Sequence, residues 1–261
     1  MYVNEALHHH RRWPEPRALL TLVKPITWFP PMWAFACGVV SSGAALSGEW
    51  GTIALGVLLA GPLVCGMSQA ANDWCDRHVD AINEPDRPIP SGRVPGRWGL
   101  WVALAMSALS LLVASALGPW GFAATVLAVA AAWAYSAEPF RFKRSGMIGP
   151  GVVGLCYEGL PWFTGAAILS AGAPAWPVIA AAALYAAGAH GIMTLNDFKA
   201  LEGDRQTGLR SLPVTLGPER AACLGRGRLQ RLGRAAAPDA AARRHRGVGA
   251  VPARHRRGRG R

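Results

Sequence analysis

A chain of 261 residues that is 51% hydrophobic and only 16% charged departs from soluble domains, in which roughly a quarter of residues carry charge, and reads as a membrane protein. Its formal net charge of +12 would suggest a nucleic-acid partner if it were spread, but residues 226–261 hold 12 arginines against Asp239 while the rest is nearly neutral, so nucleic acid is excluded as a partner. Cys37, Cys65, Cys75, Cys156 and Cys223 form no C-x-x-C pair and no zinc spacing, and they read as small apolar fillers.

In chain order, polar His8-His9-His10-Arg11-Arg12 precedes the first apolar run, so no cleavable signal is expected there. Six segments then have the length and apolarity of membrane spans, at roughly 28–47, 52–71, 99–117, 120–136, 150–170 and 175–195. The expected fold is all-α, a polytopic transmembrane helical bundle. Arg11, Arg12, Arg17 and Lys24 precede the first span; Arg77, Arg87, Arg93 and Arg97 lie between the second and third; Arg141, Lys143 and Arg144 lie between the fourth and fifth; Lys199, Arg205 and Arg210 follow the sixth. The alternate connectors, near Ser47–Gly51, Gly118–Pro119 and Ala171–Ala175, carry no Lys or Arg. Basic connectors stay in the cytoplasm, so the N-terminus is placed inside. Trp28, Trp50, Trp120, Trp162 and Trp176 fall near the ends of these spans, as interfacial anchors would.

The longest polar stretch opens at the inner end of the second span, as Asn72-Asp73-Trp74-Cys75-Asp76-Arg77-His78-Val79-Asp80. If the helix continues, Asn72, Asp76 and Asp80 drift only about 40° per step and line one face at roughly 6 Å intervals. Like charges so spaced repel. A solvated helix end is one reading; the other is a Mg²⁺ site, since that ion takes one or two carboxylates plus substrate phosphates.

A second such stretch follows the sixth span, Asn196-Asp197-Phe198-Lys199-Ala200-Leu201-Glu202-Gly203-Asp204-Arg205. Asn196 and Asp204 repeat the separation of Asn72 and Asp80, and Asp197 repeats Asp73. Two carboxylate faces on one membrane side suit a diphosphate held with more than one Mg²⁺. Arg87, Lys143, Arg144, Lys199, Arg205 and Arg210 are available for the remaining phosphate charge, or serve as ordinary positive-inside residues. Pro85, Pro88, Pro90 and Gly92 stop the helix and form a loop able to return Arg87 over the Asp face.

These residues carry a resemblance. Asn72-x-x-x-Asp76-x-x-x-Asp80, Asn83-x-Pro85-x-Arg87-Pro88-x-x-x-Gly92 and Tyr135-x-x-x-Pro139-x-x-x-Lys143 resemble the signatures of UbiA-type intramembrane prenyltransferases. The two Asp stretches in full resemble the chlorophyll synthase branch, and within it the bacteriochlorophyll synthases of purple phototrophs. The resemblance runs from about Lys24 to Ala222, so residues 1–222 read as the membrane domain. It implies a bundle of nine helices with a lateral cavity. In that bundle Asn72, Asp73, Asp76, Asp80, Asn196, Asp197 and Asp204 hold Mg²⁺ and diphosphate at the cytoplasmic mouth. Ala200 and Glu138 depart from the superfamily pattern, which commonly has Asp and Pro there; Asp197 is the natural substitute for the first.

The implied activity is transfer of a geranylgeranyl or phytyl group from its diphosphate to the propionate of (bacterio)chlorophyllide, in a bacterial cytoplasmic or intracytoplasmic photosynthetic membrane. Asp76, Asp80, Asp197 and Asp204 would serve catalysis through Mg²⁺, and Arg87, Lys143, Arg144, Lys199 and Arg210 would hold the diphosphate. Tyr135 would place its ring near the reacting allyl carbon. An ionised propionate requires no dedicated base. Glu158 and His190 fall inside spans, where ionisable residues are candidates by default. Glu158 is read either as a tetrapyrrole contact or as a hydrogen-bonded helix contact, and His190 either as a ligand of the tetrapyrrole magnesium or as a satisfied buried histidine. The alternatives are a prenyltransferase of a quinone or haem acceptor and a non-catalytic pigment-binding membrane protein.

Where the resemblance leads to a seventh span, after Gly217, the chain turns to Arg, Ala, Gly, Pro and His, and residues 226–261 contain no Lys, Ile, Phe, Tyr or Trp. GC-rich codons specify that composition. The stretch 223–261 is read as the product of a frame change near Cys223, with a disordered basic arm on anionic lipid as the alternative. A chain ending so is expected to be unstable or inactive.

Overall fold

The computed structural model describes residues 12–170, 172–198 and 211–223, with the helical backbone but not the side chains of residues 195–197. The described residues hold, in chain order, the helices α1 Pro16–Leu22, α2 Phe29–Ser41, α3 Trp50–Asn83, α4 Trp98–Ser115, α5 Gly118–Ser136, α6 Ile148–Leu169, α7 Trp176–Asp197 and α8 Leu212–Leu216, and residues 218–223 are helical as well. No strand occurs among them. The His8–His10 run, the continuation expected beyond Gly217 and the Arg-rich tail lie in whole or in large part outside the described residues.

The six expected spans all coincide with helices, and among the described residues α3, α4, α6 and α7 are long and apolar enough by length and composition to cross a membrane. The expected span 28–47 is corrected in its bounds: the helix covers 13 residues, Phe29–Ser41. It ends where the Ser42 hydroxyl turns back to the Val39 carbonyl and Gly43 takes a φ of +71°. In α5, Trp120, Trp133 and Tyr135 dilute a run otherwise rich in alanine. Helix α1, not anticipated from the sequence, buries Ala18 and Leu22 in one core cluster with Met67 and Ala70 of α3, Ala103 of α4 and Val129 of α5.

Small residues set the packing distance, as expected where lipid supplies no hydrophobic drive between helices. A Cβ added at Gly38 of α2 would stand 2.0 Å from the Trp162 carbonyl oxygen, and one at Gly165 of α6 2.2 Å from that of Phe35. The α2–α6 contact therefore brings backbone against backbone. Trp33, Leu104, Leu112 and Leu127 are exposed, as lipid-facing side chains would be.

Two helices carry π-helical turns, Leu59–Cys65 in α3 and Leu155–Gly159 in α6. Pro62 lies inside the first and Pro161 just beyond the second. Proline withholds an amide proton and crowds the preceding turn, and a widened turn absorbs both effects. Helix α3 then runs on unbroken to Asn83, so the polar stretch continues the span as one rod.

Candidate active site

Helix continuity fixes the Asp face. Asn72, Asp73, Asp76 and Asp80 lie in the last turns of α3, and each meets a cation from elsewhere in the chain. Asp73 is 1% exposed and Asp80 7% exposed, burial that carboxylates accept only when paired. Lys24 Nζ stands 2.8 Å from Asp73 Oδ1. Arg87 Nη1 lies 3.3 Å from Asp73 Oδ1 and 3.0 Å from Asp80 Oδ2, while its Nε pairs with Glu84. The loop that returns Arg87 behaves as its prolines predict: Ser91 Oγ donates to the Arg87 carbonyl at 2.7 Å, the Val94 amide donates to Pro88 at 2.8 Å, and Gly92 takes a φ of +74°.

The neighbouring stripe is served by the α5–α6 connector. Arg141 Nη2 lies 2.9 Å from Asp76 Oδ1, and Lys143 pairs with Asp76 while its Nζ stands 3.1 Å from Asn72 Oδ1. Ser136 Oγ donates to the same Asn72 oxygen at 3.3 Å. Burial pushes the Lys143 ammonium below the usual lysine range, and Asp76 opposes that shift without cancelling it. Burial also works against the charge of Arg87, but Glu84, Asp73 and Asp80 together outweigh it and hold the guanidinium above its usual range.

Lys24 and Arg141 have φ of +45° and +37°, the two non-glycine residues in the left-handed region among those described. That conformation costs roughly 1–2 kcal/mol for an L-residue. Both direct their cations at the Asp face, and strain of this kind gathers at functional sites. Four cations, Lys24, Arg87, Arg141 and Lys143, thus meet three carboxylates, Asp73, Asp76 and Asp80. Glu84 and Glu138 pair in turn with Arg87 and Arg141, so the cluster is close to charge-balanced, and its cations are held ready for an arriving polyanion.

Beside this cluster opens a cavity of about 510 Å³. Asn72 lies on its wall together with Tyr135, Ser68, Gln69, Tyr157 and Glu158, and Ala132, Val152, Val153, Ile192 and Met193 make the remainder apolar. A polyanion at the Asp face would have a long apolar tail beside it.

The chain matches the UbiA prenyltransferase family over residues 27–227. It is 71% identical over 224 residues to the bacteriochlorophyll synthase 33 kDa chain of Cereibacter sphaeroides, covering 86% of this chain and 74% of that one. The chain belongs to the UbiA prenyltransferase family. It is a prenyltransferase, and its all-helical bundle is that of the family's membrane enzymes. Chloroplastic chlorophyll synthase of Oryza sativa subsp. japonica is 39% identical over 220 residues, 79% of this chain and 57% of that one. Among solved structures, a UbiA homolog from Archaeoglobus fulgidus bound to GPP and Mg²⁺ superposes with a TM-score of 0.68 at 26% identity, over 82% of this chain and 75% of that one.

Several residues expected at the site are brought together: Asn72, Asp73, Asp76, Asp80, Arg87 and Lys143 in the charged cluster, with Tyr135 and Glu158 on the adjoining cavity. Arg144 is not among them, because its side chain is 59% exposed and lies 3.0 Å from Glu138 at the rim. His190 is absent from the cavity lining; its Nε2 lies 3.1 Å from the Met147 carbonyl. The side chains of Asn196 and Asp197, and Lys199, Asp204, Arg205 and Arg210 altogether, lie outside the described residues. Lys24 and Arg141 counted in the sequence only as positive-inside charges. The left-handed conformation that aims them has no composition signature, although Lys24-Pro25 and the interval before Lys143 were visible. Gln69 and Tyr157 were also missed; Gln69 Nε2 donates to the Tyr157 hydroxyl at 2.8 Å across the cavity wall.

Among the described residues no three acidic, His or Cys side chains converge on one point. The donors are oxygens, and Asp73 Oδ2 is buried with no partner. One or two carboxylates completed by phosphate oxygens is how Mg²⁺ is commonly held, so the residues present fit that ion.

Proposed function

We propose that this chain transfers a geranylgeranyl or phytyl group from its diphosphate to the propionate carboxylate of (bacterio)chlorophyllide, forming (bacterio)chlorophyll. The observation that carries the reading is the joining of the cation-lined Asp face to the apolar cavity through Asn72. Identity of 71% to a bacteriochlorophyll synthase and 39% to a chlorophyll synthase supports the acceptor. The reaction belongs at the cytoplasmic face of a bacterial photosynthetic membrane, by the alternation of basic connectors.

Asp76, Asp80 and Asp73 with Asn72 would hold Mg²⁺ on α3, joined by Asn196, Asp197 and Asp204 from the second motif. When bound, the ion neutralises charge developing on the leaving diphosphate. Lys24, Arg87, Arg141 and Lys143 serve the same charge from the protein side, held in place by pairing before substrate arrives. Lys199 and Arg210 would add to them from the second motif. Tyr135 on the cavity wall offers its ring to the allyl cation that ionisation leaves, and the apolar lining keeps water from that cation.

The test is product analysis. Membranes containing the full chain, Mg²⁺ and geranylgeranyl diphosphate are given bacteriochlorophyllide, a quinone ring or haem in parallel, and products are read by mass spectrometry. Mg²⁺-dependent diphosphate release with an esterified tetrapyrrole is expected. Prenylated quinone or haem in place of that ester would reassign the acceptor, and no diphosphate release at all would leave a pigment-binding protein.

A further inference from the structure

The α5–α6 connector bounds a second cavity, of about 840 Å³, within the range of roughly 300–1,000 Å³ that small-molecule sites occupy. Its walls are largely apolar. Phe140 and Phe142 stand with ring centroids 5.7 Å apart, and Ile148 and, from α8, Leu216 face the same space. Phe140 is 65% exposed and Ile148 51% exposed, yet they lie in the connector and at the first position of α6, beside Arg141 and Arg144, rather than in the middle of a span. Large apolar side chains left open next to cations call for a ligand that is itself part apolar and part anionic.

Arg141 belongs both to this cavity and to the Asp face. Asp76 holds its Nη2 and Glu138 its Nη1, but its Nε is buried with no hydrogen-bond partner. An orphaned guanidinium donor is costly until an acceptor oxygen arrives, and a carboxylate is the group that a guanidinium fits best. Glu138, the one acidic residue among the described residues of the lining, is already engaged by Arg141 and Arg144. Its contact with Arg144 is exposed on both sides, and exposed pairs contribute so little that a ligand can part them. No described residue lines both this cavity and the one that holds Asn72 and Tyr135, so the two can be filled at once.

We propose that this second cavity seats the macrocycle of the tetrapyrrole acceptor against Phe140 and Ile148, with its propionate turned to Arg141. The inference rests on the acceptor reading above and adds to it the place of the ring. The prenyl tail takes the cavity beside Asn72, the macrocycle takes the other side of the connector, and the two substrates meet at Asp76 and the cations that hold it. A planar conjugated ring bearing a carboxylate matches these walls: its face packs on aromatic side chains, a contact that a flexible lipid chain does not reproduce, and its charge finds the unspent donor.

The test is binding of bacteriochlorophyllide to the full chain in detergent without donor, read from the absorption and fluorescence of the pigment. Phe140→Ala and Ile148→Ala should each weaken binding about tenfold, whereas Phe140→Trp, which keeps an aromatic face, should bind nearly as the unchanged chain does. Arg141→Ala should weaken binding of the free acid about tenfold but barely alter that of the methyl ester, which carries no carboxylate. In turnover, Phe140→Ala should raise the KM for the tetrapyrrole and leave that for the prenyl diphosphate within about twofold, a split that a general loss of packing would not give. Unaltered tetrapyrrole affinity in both Phe140→Ala and Ile148→Ala would overturn the proposal and leave the cavity to lipid. Equal loss of affinity for both substrates would overturn it as well, since it marks a packing role. In each of those cases an unchanged chain that still forms the ester keeps the acceptor reading intact. If the unchanged chain neither binds nor esterifies bacteriochlorophyllide, the acceptor reading itself has failed and this inference goes with it.

Discussion

Lys24 and Asp73 are 49 residues apart in sequence and 2.8 Å apart in space. The lysine reaches the carboxylate from a turn in which Thr27 Oγ1 donates to the Lys24 carbonyl at 2.8 Å and the next residue, Pro25, has its own φ locked by its ring. Asp73 is otherwise left with Arg87 at 3.3 Å and one unpartnered oxygen. Removing one partner of a buried pair leaves the other charge uncompensated. Lys24→Met is therefore expected to destabilise the protein by about 2 kcal/mol, read as a lowered Tm in detergent, and a second change, Asp73→Asn, should recover part of that loss. Additive losses in the double variant would show that the pair does not couple.

Asp76 and Asp80 are expected to be the least replaceable residues of the chain. Asp76→Ala or Asp80→Ala should lower prenyl transfer by two orders of magnitude or more, on the scale of about 3 kcal/mol for a lost electrostatic contact in the transition state, with insertion into membranes unchanged. Initial rates in membranes matched for protein content measure it. Near-normal turnover in either variant would remove the Mg²⁺ and diphosphate assignment.

Arg141 and Arg144 separate two roles that the sequence treats alike. Arg141 is 18% exposed and holds Asp76, whereas Arg144 is 59% exposed and holds only Glu138. Arg141→Ala should raise the KM for the prenyl diphosphate about tenfold or more, as loss of a charge-assisted hydrogen bond does. Arg144→Ala should change it by less than about twofold, as exposed pairs contribute little. Steady-state kinetics with the donor varied distinguishes them, and equal effects would contradict the geometry.

Sidedness is testable at Ser47 and Asp86, both exposed and on opposite sides of the proposed topology. In an otherwise Cys-free chain, a membrane-impermeant thiol reagent applied outside should label Ser47→Cys and not Asp86→Cys, and inverted vesicles should give the reverse. Labelling of Asp86→Cys from outside would move the whole charged cluster to the other face.

The match to the family ends at residue 227, beside the onset of the arginine-rich stretch at Arg226. We propose that a frame change near codon 223 produces that stretch, and expect the nucleotide sequence read in another frame to encode further apolar segments. Resequencing decides it. An unchanged frame together with full synthase activity of the 261-residue product would make the tail genuine.

Much of the molecule was legible in the chain because it rests on one-dimensional patterns. Apolar runs of bilayer length placed the helices, the i, i+4, i+8 spacing of Asn72, Asp76 and Asp80 defined a face once α3 continued through it, and three prolines with Gly92 foretold that Arg87 would fold back. Composition does not measure where a helix stops, so α2 came out shorter than the apolar run that contains it, and α1 was too brief to register. What only the tertiary structure decided is which cation meets which carboxylate. Lys24 and Arg141 depend on backbone dihedrals that no periodicity encodes, and Arg144 differs from Lys143 by one residue yet points to the rim. Glu158 is the plainest case. The sequence marks it as an ionisable residue inside a span, but its unpartnered Oε2 and its place on the cavity with Asn72 and Tyr135 arise from packing α6 against α2, α5 and α7, where neighbouring helices rather than residue type set burial.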